Sequence, residues 1–288
     1  MVAWVVGAIV SDRWWWSQWL SWMTPAALVG GGFLLTVGQA CMHRRWWILG
    51  PVVAAAGSIL FLVPRMGWSV SAQEHGLRLM QWTSGPILGD ATPYAEFIIR
   101  KDPDVLIMHG GLRIGRAESF HTWSQNRQLA MRGPFVFASR LPIHRLQTVA
   151  WADNIMLVNL ECVRPNGQLL RVLAVDLPSD PARSRSEIMR KTHQLLGRLE
   201  TPPDVILGDF NMTQNSRVIR SFLPGWKLGW PFAGRGWGGT WPRWLPAYRL
   251  DHVMIPDHTQ PLPLITTHDP GVGTHRAQII TLPSSTVN

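Results

Sequence analysis

A short apolar run in the second half of the chain predicts a buried strand with polar groups at its end. Residues 205–207 (Val-Ile-Leu) lie between a proline and a glycine, and Asp209 and Asn211 follow them. Because side chains alternate along an extended chain, Asp209 and Asn211 are expected on one side and Phe210 in the core. Enzymes of mixed α/β structure often place their chemistry at such strand ends. The alternative is a strand that simply ends in an Asx turn.

Two further polar clusters with the same strand-end character follow this segment. Asp251 lies inside the strand-like residues 248–255, and His275 begins the last apolar run at residues 274–280. In order and spacing, Gly-Asp-Phe-Asn, Arg-Leu-Asp-His-Val and Gly-Thr-His-Arg resemble the endonuclease/exonuclease/phosphatase superfamily of metal-dependent phosphodiesterases, over roughly residues 76–283. The resemblance implies an α+β fold, the four-layer α/β/β/α sandwich of DNase-like proteins, for residues 71–288.

The chain between residues 77 and 199 favours this mixed architecture. Apolar runs and apolar–polar alternation predict strands over residues 77–82, 104–108, 154–162 and 169–177. The last two are predicted to pair across a Pro-Asn-Gly turn at residues 165–167. Helical spacing of apolar residues predicts helices over residues 95–101 and 184–199, the second beginning with a capping box from Ser184 to Glu187.

The resemblance also implies roles for four polar residues. Asp209 would orient or deprotonate the nucleophile, and Asn211 would contact the phosphate. His275 would bind the phosphate or act as an acid, held by Asp251. A carboxylate on one nitrogen of an imidazole fixes its tautomer and favours the charged form, so the pairing is physically sound. A histidine standing alone is more often structural, and only the register with Asp251 and Asp209 favours a catalytic position.

The residues that would hold the family's metal differ in this chain. The resemblance implies a divalent cation, Mg²⁺, as the cofactor of an active enzyme. The position of the principal metal-binding glutamate is Gly110, which offers no ligand. Because Mg²⁺ relies on carboxylate oxygens, Asp176 together with Asp209 is the predicted replacement ligand set. A site that uses no cofactor remains the alternative.

Candidate substrate-binding residues lie beside these motifs. Arg276 follows the late histidine, Thr83 ends the first predicted strand, and Arg249 precedes the Asp251 motif. Trp241 belongs to a tryptophan-rich stretch over residues 225–246, whose rings could stack on a base or rest on a membrane. Packing within loops and core is an equally available explanation for these tryptophans.

The first seventy residues predict a membrane anchor. Residues of about 25–42 and 46–63 are uncharged, and each stretch approaches the ~20 residues that cross a bilayer core. A tryptophan-rich start precedes them, as expected at headgroup depth, so residues 1–70 are predicted to hold two transmembrane helices. A buried soluble hairpin is the alternative. Arg44 and Arg45 in the short connection predict a cytoplasmic loop and an extracytoplasmic domain, in a cell or inner membrane, although Arg13 argues the other way.

The composition limits the partners without identifying them. The chain of 288 residues has a formal charge of +9, which suits a phosphate-bearing substrate or an anionic membrane surface. Cys41 and Cys162 lie one in each part of the chain and imply no disulfide framework. The sequence therefore predicts a monomeric, membrane-anchored phosphoester hydrolase of the phosphodiesterase, phosphatase or nuclease type, acting on a lipid, a nucleotide or a nucleic acid. The alternative is an inactive relative, a pseudoenzyme, that binds a phosphate-bearing ligand or an envelope partner.

Overall fold

The computed structural model describes residue 7 and residues 9–22, 25–41, 48–69 and 76–283. Its helices are α1 Ser17–Trp22, α2 Pro25–Cys41, α3 Leu49–Leu62, α4 Thr92–Lys101, α5 Glu118–Ser124, α6 Arg185–Leu196, α7 Arg217–Arg220 and α8 Trp230–Ala233. Its strands are β1 Met66–Trp68, β2 Gly76–Thr83, β3 Val105–His109, β4 Gln128–Arg132, β5 Phe135–Ser139, β6 Ile143–Ala152, β7 Ile155–Val163, β8 Leu169–Asp176, β9 Val205–Asp209, β10 Trp226–Leu228, β11 Gly234–Trp237, β12 Asp251–Pro256, β13 Leu264–His268 and β14 Ala277–Pro283.

The described strands form two mixed sheets. One has eight strands in the order β1-β11-β13-β14-β2-β3-β5-β4, and the other has six in the order β10-β12-β9-β8-β7-β6. At the centre of the six-stranded sheet, β9 runs parallel to β8 and antiparallel to β12. The carboxyl end of β9 therefore lies beside the last residue of β8 and the first residue of β12.

The two sheets pack face to face, with helices on the outer faces. The central core joins side chains of both sheets, among them Leu79 and Ile107 from one and Val172 and Leu207 from the other. A second core lies between the six-stranded sheet and α6, and a third lies between the eight-stranded sheet and α4 and α5. This arrangement is the predicted mixed α+β sandwich of two sheets.

Burial on both faces explains the continuous apolar run of β9. Val205 and Leu207 point into the core between the sheets, whereas Ile206 points to the helix side. A strand covered on both faces needs apolar residues at every position, not at alternate ones. Phe210 continues this pattern and is fully buried in the helix-side core, as the sequence predicts.

Most predicted elements are present, and three strands that the sequence analysis did not predict have a feature in common. The strands at residues 77–82, 104–108, 154–162 and 169–177 and the helices at 95–101 and 184–199 are all found within a few residues. The Ser184 hydroxyl accepts a hydrogen bond from the Glu187 amide, as in a capping box. The unpredicted strands β4, β6 and β13 have half-exposed or polar faces, so no apolar pattern marks them.

Helices α2 and α3 form the segment predicted to cross a membrane. They are 17 and 14 residues long, which corresponds to about 25 and 21 Å at 1.5 Å per residue, against a hydrocarbon core of ~30 Å. Among the described residues, no helix combines the length and apolarity needed to span a bilayer. The structure therefore does not support the two predicted transmembrane helices. Arg44 and Arg45, on which the predicted orientation depends, lie outside the described residues.

The segment before α2 packs against the folded domain. The Ser11 hydroxyl accepts a hydrogen bond from the Arg217 amide at 3.2 Å, and Asp12 hydrogen-bonds to Ser216. The Gln18 side-chain oxygen accepts from Nε of the buried Arg185 at 2.9 Å. The N-terminal segment is thus a structural part of the domain surface.

Candidate functional site

The candidate site lies at one end of the sandwich, where strands of both sheets terminate. Asp209 at the end of β9 is in register with Asp176 at the end of β8 and with Asp251 at the start of β12. From the eight-stranded sheet, β2 and β3 end in register at Thr83 and His109. His275 lies just before β14, so six strand ends meet around one cleft.

His275 is held between two aspartates. Its Nδ1 lies 2.7 Å from Oδ2 of Asp251, and its Nε2 lies 3.9 Å from Oδ2 of Asp209. The first distance is a hydrogen bond, and the second is too long for one. Asp251 therefore holds the ring on its Nδ1 side. The main-chain oxygen of His275 accepts a hydrogen bond from Nε1 of Trp82 at 3.1 Å. Nε2 is therefore the nitrogen available to a substrate on the Asp209 side.

Asp251 is fully buried and saturated with hydrogen bonds. Its Oδ1 accepts from the Thr83 hydroxyl at 2.6 Å and from Nε2 of Gln81 at 3.0 Å. Gln81 in turn accepts at Oε1 from Nε2 of Gln278 at 2.7 Å, and Gln278 accepts from the buried Arg249 guanidinium. A chain of donors thus ends on the carboxylate that orients His275.

The turn after β9 positions Asp209 and Asn211. Asn211 has a left-handed backbone, with φ +51°, and its amide donates to Oδ1 of Asp209 at 2.9 Å. Its side-chain amide donates to the Leu177 carbonyl at 2.8 Å. Gly208 is required before this turn because a Cβ there would lie 1.9 Å from the Val175 carbonyl oxygen of β8. The Asx turn considered from the sequence is therefore present, and it lies inside the cleft.

Burial and charge set opposite protonation tendencies at the three central groups. Burial and the neighbouring Asp251 charge raise the pKa of Asp209 to about 7. Burial also opposes ionisation of Asp251, but the charge and hydrogen bond of His275 outweigh it and lower its pKa to about 2. Burial alone would lower the pKa of His275, yet Asp251 raises it to about 9. Near neutral pH, Asp251 and His275 form an ion pair.

A second histidine–aspartate pair lies across the same cleft. Nε2 of His109 is 3.2 Å from Oδ2 of Asp176, and about a fifth of each side chain is exposed. Burial tends to lower the pKa of His109, but the hydrogen bond to Asp176 and its charge raise it above the ordinary value. The two partners come from different sheets, so the pair joins the two walls of the cleft.

The position of the expected metal-binding glutamate is occupied by tightly packed main chain. Gly110 has φ +85°, and a Cβ there would lie 2.4 Å from the carbonyl oxygen of Gly85. A backbone neighbour cannot move aside as a flexible side chain can. No larger side chain fits at this position, which explains the glycine.

The remaining donors do not fit a family-type Mg²⁺ site. Ligand atoms of Asp209, Asp251 and His275 lie within 4.8 Å of one another. However, the Asp251 oxygens already accept hydrogen bonds from Gln81, Thr83 and His275. Asp176, the predicted replacement ligand, is paired with His109. Asp209 is then the carboxylate of this set that no histidine hydrogen-bonds, and its Oδ1 already accepts from the Asn211 main-chain amide, whereas Mg²⁺ requires an ordered octahedron of mostly oxygen ligands.

The other predicted site residues divide between the cleft and the interior. Thr83 and Trp241 line the cavity together with Asp176, Asp209, Asn211 and His275. Arg249 is buried, with its guanidinium 4.2 Å above the ring of Trp230 and burial lowering its pKa to about 9. Arg276 binds the Arg243 carbonyl and faces Asp269. Neither arginine is among the residues that line the cavity, so the structure does not bring them to the site.

Sequence patterns did not identify several residues that line the cavity or, like Gln81, lie behind Asp251. His109 was recognisable only as a polar strand end before two glycines, and Gln81 only as a polar residue in an apolar strand. Trp22 lies more than fifty residues before the first strand of the domain core, and nothing in its local sequence indicates the cleft. The cavity has a volume of about 930 Å³. Among its described lining residues there is no lysine or arginine.

Comparison with known proteins identifies the architecture. The model of the endonuclease/exonuclease/phosphatase family matches residues 73–275. A structure described as an endonuclease/exonuclease/phosphatase family protein from Leptotrichia buccalis is 12% identical with TM-score 0.54, covering 72% of this chain and 100% of that chain. A family protein from Bacteroides thetaiotaomicron gives the same identity, coverage of this chain and TM-score, with 97% of that chain covered. The 3′ phosphatase NExo from Neisseria, bound to product DNA hairpin, is 11% identical with TM-score 0.52, covering 72% of this chain and 100% of that one. No curated protein matches the sequence.

Proposed function

Because the chain belongs to the endonuclease/exonuclease/phosphatase family, we propose that it is a phosphoester hydrolase of the phosphodiesterase, phosphatase or nuclease type. The observation that supports this most is the line Asp209–His275–Asp251, whose first two residues line one cleft and whose third lies buried behind them. An acid, a base and an orienting carboxylate within reach of one another are what hydrolysis of a phosphoester requires.

The proposed reaction uses Asp209 as base and His275 as acid. Asp209 accepts a proton from the attacking water while the new oxygen–phosphorus bond forms. Nε2 of His275 donates its proton to the leaving oxygen as the ester bond breaks, so the proton count balances. Asp251 keeps His275 charged and oriented before the step. The second Asn211 side-chain N–H is placed to bind a phosphoryl oxygen.

Members of this family generally use divalent metal ions. Such an ion supplies a Lewis acid for the phosphoryl oxygens and a source of hydroxide when bound. The residues of this cleft do not fit such a site, and the proposed steps therefore use only side chains. The Mg²⁺ expected from the resemblance is tested by measuring turnover with EDTA and with added Mg²⁺ or Mn²⁺.

Turnover of p-nitrophenyl phosphate and bis(p-nitrophenyl) phosphate by the full chain tests the hydrolase proposal. We expect His275→Gln and Asp209→Asn to lower kcat about 10²- to 10⁴-fold, because a general acid or base usually accelerates a reaction by this factor. His144→Gln, on an exposed strand position, is the matched control and should retain full activity. Equal turnover in all four proteins would contradict the assignment of the site.

The alternative function is binding without catalysis. The glycine at position 110, enforced by the Gly85 backbone, favours it because a principal family ligand has been lost. In that case the cleft would bind inorganic phosphate, with weaker binding in His275→Gln, while both nitrophenyl esters stay intact at every metal concentration. Phosphate binding without turnover indicates a pseudoenzyme, whereas absence of both indicates that the cleft has been wrongly assigned as a phosphate site.

Membrane association through α2 and α3 is the second part of the proposal. The outer faces of both helices expose large apolar side chains, including Phe33, Leu34, Val52 and Ile59. An exposed apolar patch of this kind is rare on a soluble monomer. The helices pack through Gly32, where a Cβ would lie 2.5 Å from the Ala54 amide nitrogen, and close packing through small residues is common between helices in lipid.

The membrane proposal also says on which side of the membrane the domain lies and how many copies associate. We infer a monomer at a cell or inner membrane with its domain on the extracytoplasmic side. Protease added to intact spheroplasts should then digest residues 76–283, whereas the same protease added outside inverted vesicles should not. Digestion in the inverted vesicles alone would place the domain in the cytoplasm.

A further inference from the structure

The cavity next to the catalytic groups has an extensive apolar wall. The side chains that form it come from two strands and several loops of the domain and from the N-terminal segment. They are Trp22, Leu112, Trp151, Met156, Leu177 and Trp241. This wall lies beside the polar end formed by Asp209, Asn211 and His275. A ligand that fills the cavity therefore needs one phosphate-bearing end and one apolar end.

Trp22 is fixed in this wall by direct contacts. Its ring stacks on Tyr248, with centroids 5.4 Å apart, and the Tyr248 hydroxyl donates to the Trp22 carbonyl at 3.1 Å. Tyr248 also contacts Trp241, with centroids 6.0 Å apart. The three rings form an aromatic row from the N-terminal segment to the loop between β11 and β12, and its two tryptophans line the cavity.

The segment that supplies Trp22 also carries exposed aromatic surface. Trp14, Trp15, Trp16 and Trp19 each expose about half of their side chains. Asp12 and Gln18, which are buried, hold the segment on the domain through Ser216 and Arg185. Tryptophan is favoured at the depth of lipid headgroups. The mouth of the cleft thus adjoins the surface best suited to a membrane, with α2 next along the chain.

The charge of the cleft argues against a polyanionic ligand. Its described lining includes Asp176, Asp180 and Asp209 but no lysine or arginine. Proteins that hold a nucleic-acid strand do so largely by placing cationic side chains on successive phosphates. A molecule with a single phosphate group near His275 avoids repulsion from the other carboxylates.

We propose that the substrate is a membrane lipid with a phosphate ester, whose headgroup enters the cleft while its apolar part lies against Trp22, Trp151 and Trp241. This inference rests on the proposed hydrolase function and specifies its substrate class. The headgroup phosphate meets Asp209, Asn211 and His275, and the reaction is the hydrolysis described above. The N-terminal segment then has two tasks, binding at the bilayer and forming one wall of the site.

The test compares three substrates with the full chain. They are phosphatidylcholine vesicles containing phosphatidic acid or phosphatidylglycerol, a single-stranded DNA oligonucleotide, and the soluble nitrophenyl esters. We expect lipid hydrolysis to exceed DNA hydrolysis. Trp22→Ala should lower kcat/KM about tenfold more for the lipid than for the soluble ester, as expected for loss of a large apolar contact. Trp68→Ala, on an exposed ring of β1 outside the cavity, should affect neither.

The outcomes separate this inference from the proposed function. Faster cleavage of DNA than of lipid, or an equal effect of Trp22→Ala on lipid and soluble ester, overturns the lipid assignment and leaves the hydrolase intact. Absence of turnover on every substrate overturns the hydrolase proposal itself. Turnover of the soluble ester by Trp22→Ala shows that the variant is folded, and Trp22→Leu provides a second, milder variant.

Discussion

At the scale of single residues, two histidines are held by aspartates on opposite sides of one cleft. His275 is bound by Asp251 from within the sandwich, and His109 is bound by Asp176 across the two sheets. In each pair the carboxylate raises the pKa of the imidazole against the effect of burial. Because the rate of proton transfer follows the protonation state of the acid and the base, the pH dependence of the rate identifies which residues act.

The pH dependence of kcat/KM should have two limbs. Below about 7 the buried Asp209 is protonated and cannot act as base, so activity rises as pH passes that value. Above about 9 His275 loses the proton that it donates, so activity falls as pH passes it. His275→Gln should abolish the upper limb, whereas His144→Gln should keep both. A wild-type profile without a fall at high pH would exclude His275 as the acid.

His109 is expected to keep Asp176 from binding a cation. In His109→Asn the carboxylate of Asp176 would lie free beside Asp209, since the two end neighbouring strands in register. Isothermal titration should then show Mn²⁺ binding about tenfold or more tighter than in the wild type, comparable with the usual effect of a neighbour on a metal ligand. His121→Asn, at an exposed helical position, is the control. Strong binding by the wild type that Asp176→Ala abolishes would contradict this account.

At the scale of secondary structure, the buried Arg185 joins three parts of the molecule. It begins α6, binds Gln18 of the N-terminal segment, and donates to the carbonyls of Pro178 and Ser179 in a loop lining the cavity. Burial lowers its pKa. The N-terminal segment and the cleft therefore depend on one guanidinium.

Removing this guanidinium should destabilise the fold and loosen the cleft. Arg185→Met removes three hydrogen bonds, two of them to the buried acceptors of Gln18 and Pro178, and losing the donor to each buried acceptor costs about 1–3 kcal/mol. We expect a loss of about 3 kcal/mol or more in chemical denaturation. Arg190→Met, exposed on the same helix, should change stability by less than about 0.5 kcal/mol. Similar stabilities for the two variants would show that the contacts of Arg185 contribute little.

The elements show which parts of this fold sequence patterns can predict. The apolar run of β9 predicted a strand, because a strand that is buried on both faces has an apolar residue at every position. The order of Asp209, Asp251 and His275 predicted residues that now lie at adjacent strand ends. By contrast, Arg249 looked available for phosphate but is buried against Trp230, because alternation does not reveal which side of a strand end faces solvent. Trp22 reaches the cleft through contacts with Tyr248, which is distant in sequence, and no local sequence pattern around Trp22 indicates these contacts.

At the scale of the whole molecule, apolar surface is concentrated at the N-terminal end. Among the described residues, the faces of α2 and α3 and the preceding tryptophans expose most of the large apolar side chains. The described surface of the domain exposes fewer large apolar side chains, among them Leu88, and such residues are ordinary on soluble proteins. If the cleft takes lipid, this asymmetry orients its mouth toward the bilayer.

Binding to vesicles should depend on the exposed face of the hairpin. The full chain is expected to float with phosphatidylcholine–phosphatidylglycerol vesicles in a density gradient. Leu34→Asp places a charge on a side chain that is 71% exposed, at a cost of roughly 2.5–3.5 kcal/mol in lipid, so binding should fall about a hundredfold. Leu88→Asp, on a side chain 81% exposed in the domain, is the matched control and should float like the wild type. Turnover of the soluble ester by both variants confirms folding. Equal flotation of the two would mean that the hairpin does not enter lipid, and the proposed route of substrate from bilayer to cleft would fail with it.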